Sequence, residues 1–148
     1  MNKLASLVVC SLFLFGCSND GGTARAQTFT NANLTGTYHY SSYGDSFDSV
    51  SIVLCFHSEF GSLTFDGSGN FSGSFRNSDD CEGLSTGKGL TTGSFTGTYS
   101  VSVDGSVTLD FGTGAPPTRG RIVNGDTTIV FANVDDLDIR YAGTAIKE

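Results

Sequence analysis

Apolar and aromatic residues alternate with polar ones in short runs through most of the chain. Leu34, Gly36, Tyr38 and Tyr40 share one phase, and so do Val50, Ile52, Leu54 and Phe56. Leu63 and Phe65 precede a polar stretch from Asp66 to Asn70, and Phe71, Gly73 and Phe75 follow it. Phe95, Gly97, Tyr99 and Val101 precede Asp104-Gly105, and Val107, Leu109 and Phe111 follow. Gly120 and Ile122, then Ile129 and Phe131, flank Asn124-Gly125, and Leu137, Ile139, Tyr141 and Gly143 form the last run. A period of two describes strands with one buried face, and Gly, Asn and Asp at the breaks describe turns. No helical stripe of useful length occurs. Residues 33–148 are therefore predicted to form one all-β domain, an antiparallel up-and-down β-barrel of about eight strands. A β-sandwich is the alternative. Closure favours the barrel because it leaves no open sheet edge.

Facing residues of a hairpin must lie on one side of the sheet, so parity selects the turns. A three-residue loop, Val103 to Gly105 with Gly105 left-handed, pairs Val101 with Val107 and Tyr99 with Leu109. A two-residue turn at Asn124-Gly125 places Ile129 opposite Gly120. The predicted barrel interior, a tentative ligand-binding set, is Tyr38, Phe56, Phe65, Phe71, Phe75, Phe95, Tyr99, Phe111, Phe131 and Tyr141. Gly36, Gly73, Gly97, Gly120 and Gly143 fall on the same phase. They either let strands bend and close or leave room for a ligand.

Leu34-Thr35-Gly36-Thr37-Tyr38 resembles the first strand of avidin and lipocalin-type barrels. The likeness covers five residues and implies architecture rather than activity. The chain has no tryptophan, whereas avidin-like proteins wall in biotin with tryptophans, so biotin is a poor candidate. Avidin-like barrels tied by disulfides also include envelope protease inhibitors.

The N-terminus has a different organisation. Lys3 is followed by a short apolar stretch from Leu4 to Phe15, and Gly16 precedes Cys17. This order describes a secretory signal, and the stretch falls short of the roughly 20 residues needed to span a bilayer. Leu14-x-Gly16-Cys17 resembles the bacterial lipobox. That resemblance implies cleavage after residue 16, a lipidated Cys17 carrying acyl chains such as palmitate, and attachment to the cell envelope. Ser18 in place of Asp implies the outer membrane. Residues 17–32 then read as the lipidated cysteine and a flexible tether, small and polar, with a mean span of roughly 20 Å.

With Cys10 in the signal and Cys17 in the anchor, Cys55 and Cys81 remain, and an exported chain most simply joins them in a disulfide. Cys55 is out of phase with Leu54 and Phe56 and is expected to face outward. Cys81 is expected in a long polar loop from Asn77 to Leu90. No metal site is expected, because these cysteines lack histidines at ligand spacing. Asp66-x-Ser68-x-Asn70 opens like a calcium loop, but Phe71 and Asn77 occupy positions that need glycine and an acid, so a tight turn is expected. Asp79-Asp80-x-Glu82 and Asp135-Asp136-x-Asp138 are expected to be solvated acidic turns.

The net charge of −7 disfavours nucleic acid as a partner, since phosphates would be repelled. His39 and His57 are the candidate bases at neutral pH, and both are expected on outward phases. The serines have no evident activating partner, and no cofactor motif occurs. The domain is therefore expected not to be an enzyme. Two functions stay open: an envelope-anchored carrier of a small apolar ligand, and an interaction or inhibitor-like module. The second would meet an envelope protein through the loop at Cys81 and the segment from Gly114 to Pro117.

Overall fold

The computed structural model describes residues 27–48, 53–81, 89–133 and 139–148. The expected signal peptide, Cys17, most of the tether, Val50, Ile52, Glu82 and the cluster at Asp135, Asp136 and Asp138 lie outside them. The strands are β1 (Thr35–Asp48), β2 (Val53–Asp66), β3 (Asn70–Cys81), β4 (Gly89–Val101), β5 (Ser106–Asp110), β6 (Thr118–Val123), β7 (Thr128–Asn133) and β8 (Ile139–Lys147). Each pairs with the next and β8 returns to β1, giving a closed antiparallel up-and-down barrel of eight strands.

One end of the barrel is filled. Tyr38, Leu63, Phe65, Phe71, Tyr99, Val107, Ile122 and Ile129 are all buried there. Phe65 sits at the centre, edge-on to Tyr38 and Tyr99 with ring centroids 5.3 and 5.0 Å away, and tilted against Phe71 at 5.9 Å. Edge-to-face packing places ring edges against π faces and adds to the burial term. Tyr38 donates to the carbonyl of Asp126 at 2.6 Å, and Tyr99 reaches the carbonyls of Asn31 and Leu34. Burial first, then the nearby Asp126, push the Tyr38 phenol up to about 12.

The hairpins at this end follow local chemistry. Val101 pairs with Val107 and Tyr99 with Leu109, as parity requires, and Gly105 has φ +86°. Asp66 closes the β2–β3 turn: its carboxylate accepts from the Ser68, Gly69 and Asn70 amides and from both the Ser68 and Asn70 side chains. These donors, the Ser68 hydroxyl foremost, hold the Asp66 carboxyl far below the usual range.

Three expectations need correction. The β6–β7 connection runs over four residues, so Ile122 faces Ile129 and Gly120 faces Phe131. Asn124 and Gly125 both adopt positive φ, at 54° and 77°, and the Thr127 hydroxyl closes the longer loop onto the Asn124 carbonyl at 2.8 Å. Second, Asn77 to Cys81 is the end of β3 rather than a loop. Third, β2 runs unbroken from Val53 to Asp66, so one phase must hold throughout. Leu63 and Phe65 fix that phase inward. Phe56 is thereby turned outward and is 37% exposed, while Cys55 and His57 join the interior phase. Buried Leu63 and Phe65 outweigh the weaker pattern of Leu54 and Phe56.

Glycines of the interior phase face aromatic rings across the strand ladder: Gly73 faces Phe95, Gly93 faces Phe75, Gly97 faces Phe71 and Gly143 faces Phe131. A Cβ on Gly73 would lie 2.4 Å from the Phe95 ring and on Gly143 2.7 Å from that of Phe131. These glycines thus make room for neighbouring aromatics. The outward positions of β1 to β4 are rich in Ser and Thr, with hydroxyl contacts from Thr37 to Thr64 and from Ser62 to Ser74. Tyr43, Phe56, Phe60 and Leu90 are exposed among them. Among the described residues, no helix is long and apolar enough to cross a membrane.

Candidate functional site

The other half of the barrel is hollow. Its cavity measures about 540 Å³, within the range of small-molecule sites. Its lining mixes aromatic and polar side chains. Phe75, Phe95, Leu109, Phe111, Phe131 and Tyr141 are apolar members; Ser42, Ser46, His57, Glu59 and Asn77 form a polar wall on β1 to β3, and Thr118 and Asn133 add polar groups on β6 and β7. Thr113, Ala115 and Pro116, from the β5–β6 connection, border the same space.

The predicted interior set thus separates into three groups. Tyr38, Phe65, Phe71 and Tyr99 belong to the buried plug, and Phe75, Phe95, Phe111, Phe131 and Tyr141 line the cavity. Phe56 belongs to neither. Phe71, Phe95 and Phe111 link the two regions through ring contacts of 5.2–6.1 Å.

The polar wall is set by the β2–β3 register. Cys55 faces Cys81, His57 faces Asp79, and Glu59 faces Asn77. Cys55 and Cys81 form a disulfide, so the covalent link is the next inward rung beyond His57 and Asp79. His57 Nδ1 lies 2.6 Å from Asp79 Oδ1, and His57 Nε2 lies 2.7 Å from the Ser46 hydroxyl. Asn77 Nδ2 donates to the same Asp79 oxygen at 2.8 Å. The other Asn77 group, Oδ1, is buried without a hydrogen-bond partner, an acceptor held at the cavity wall.

Deeper in, the Tyr40 hydroxyl donates to Glu59 Oε1 at 2.7 Å. Burial, then the hydrogen bond to Glu59, raises the Tyr40 phenol far above its ordinary range, so it stays a donor. Tyr141 is also raised, chiefly by burial, and its hydroxyl meets that of Thr118. Among the described residues, no group of three or more His, Cys, Asp or Glu side chains is arranged to hold a metal ion.

His39 is exposed on the outer face, as expected, with Glu148 3.9 Å away. Asp80, also outward, is separated by the strand pleat from Asp79, so these two carboxylates lie on opposite faces of β3. The alternation around Leu54 and Phe56 conceals His57, and with it Ser46, Asp79, Glu59 and Asn77. A signal was present: Cys55 and Cys81 stand equally far from Ser68, as do His57 and Asp79, which is the pattern of one continuous hairpin.

Among the described residues, the geometry defines a closed eight-stranded barrel with one filled half and one half that encloses a cavity. No protein-family model and no curated protein matches the sequence. Among solved structures, the chain resembles one described as the S-type phycobiliprotein lyase CPES from Guillardia theta, at 9% identity and a TM-score of 0.38, over 80% of this chain and 90% of that one. The expectation that the domain is not an enzyme is withdrawn. Ser46, one of the serines expected to have no partner, has the His57 imidazole within hydrogen-bond distance at 2.7 Å.

Proposed function

We propose that this chain is an exported, lipid-anchored barrel that holds one small amphipathic ligand in its cavity. The observation that supports the reading is a 540 Å³ cavity whose lining combines aromatic rings with a polar wall on β1 to β3. An apolar ligand body gains by leaving water for the aromatic rings, roughly 25 cal/mol per Å². A polar end is then oriented by Asn77 Oδ1, which lacks a partner, and by the hydroxyls of Ser42 and Ser46. A wholly apolar ligand would leave Asn77 Oδ1 unsatisfied and bind less well.

Ser42 lines the cavity and faces Glu59 on β2, so a larger side chain there should occupy ligand space. Ser42→Phe is expected to weaken binding of an environment-sensitive fluorescent fatty alcohol, whose hydroxyl can donate to Asn77, by at least about tenfold, or 1.4 kcal/mol. Circular dichroism should show the barrel retained. Equal affinity in the two proteins would place the ligand elsewhere.

The anchor rests on the lipobox-like segment ending in Cys17. Cys17→Ala is expected to move the protein from the membrane fraction to the soluble fraction of the producing bacterium. Undiminished membrane attachment would refute the anchor.

A further inference from the structure

We propose that Ser46, His57 and Asp79 form a nucleophile, base and orienting carboxylate that transfer an acyl group from a carboxylic ester bound in the cavity. The proposal rests on the ligand cavity above and adds a reaction to it. Three adjacent strands supply the three side chains, all on the inner face. Ser46 and His57 line the cavity, while Asp79 stands on the far side of the imidazole. The two contacts, 2.7 Å from Ser46 Oγ to Nε2 and 2.6 Å from Nδ1 to Asp79 Oδ1, fall in the range for a base and its orienting group.

The direction of the hydrogen bonds follows from chemistry. An ionised carboxylate only accepts, so Asp79 holds the proton of neutral His57 on Nδ1. Nε2 is left with its lone pair toward Ser46, whose hydroxyl donates to it. The amide of Asn77 donates to the same Asp79 oxygen and helps to fix the carboxylate. The His57 and Asp79 side chains are 31% and 29% exposed, and the disulfide holds their two strands together one rung away.

In the reaction, Ser46 Oγ attacks the ester carbonyl carbon while its proton passes to Nε2. The C–O bond to the alcohol then breaks, and the leaving alcohol takes that proton. An acyl-Ser46 ester remains. Water, deprotonated by His57, attacks it, the acid departs and Ser46 is restored. Ser46 lies within β1, paired with Cys55 and Ile139, so its backbone amide is committed to the sheet and is not offered to an oxyanion. Turnover is therefore slow, and the covalent intermediate is the feature to detect.

The test uses the purified full chain with its disulfide intact, 4-nitrophenyl hexanoate, and intact-mass measurement followed by peptide mapping. One hexanoyl adduct on Ser46 is expected, with a matching burst of nitrophenolate. Ser46→Ala should lose both, and Asp79→Asn should slow acylation by about 100-fold or more. Absence of the adduct, its equal appearance in Ser46→Ala, or an unchanged rate in Asp79→Asn overturns the proposal. Binding of the fluorescent fatty alcohol is measured in parallel. Retained binding without acylation refutes the reaction alone, and lost binding refutes the cavity reading with it.

Discussion

Phe65→Ala should lower the unfolding free energy by about 3–5 kcal/mol, the usual cost of emptying a buried phenylalanine site. Phe65 is only 2% exposed and touches three other rings of the plug. The neighbours are aromatic and anchored: Tyr38 is bonded to Asp126, and Tyr99 to carbonyls near the N-terminus. They cannot slide into the void without giving up those bonds, so the site collapses poorly. Against a total stability of about 5–15 kcal/mol for a domain, this is a large fraction. Urea denaturation of the oxidised protein measures it. A loss below about 1 kcal/mol would mean that the plug is not the cooperative centre of the barrel.

Replacing Cys55 and Cys81 together by serine should cost about 3–4 kcal/mol, the loop-closure term for a sequence separation of 26. The effect should be local as well as global. The bond ties β2 to β3 at the cavity end, beyond His57 and Asp79, whereas the turn centred on Ser68 ties them at the plugged end. Hydrogen exchange should accordingly rise most around residues 55–59 and 77–81, with the plug less affected. Uniform loosening, or a change in stability near zero, would contradict this picture.

How much of this was legible depends on what sets each feature. Eight strands follow from alternation and turns, because a half-buried strand must alternate. The Val101–Val107 register follows as well, since only one loop length kept both faces consistent. The β6–β7 loop did not follow: Asn124-Gly125 suits a two-residue turn, yet Ile122 gains a buried partner in Ile129 when the loop takes in Asp126 and Thr127. Tertiary packing outweighed turn preference. The polar wall was hidden for a related reason. Val50 to Phe56 carries a good apolar pattern of its own, and only the unbroken length of β2 shows that Leu63 and Phe65 overrule it. Cavity volume was not legible, since it depends on which rings the glycines seat and how far they reach.

Both described chain ends lie at the plugged end. Phe29 packs over Gly105 and bonds to Val103, and the amides of Lys147 and Glu148 bond to Thr127 and Thr37. With the proposed anchor at Cys17, the filled end is the one nearest the point of attachment, and the cavity lies at the end farthest from it. The part of the domain built for stability thus stands between the tether and the part proposed to hold a ligand.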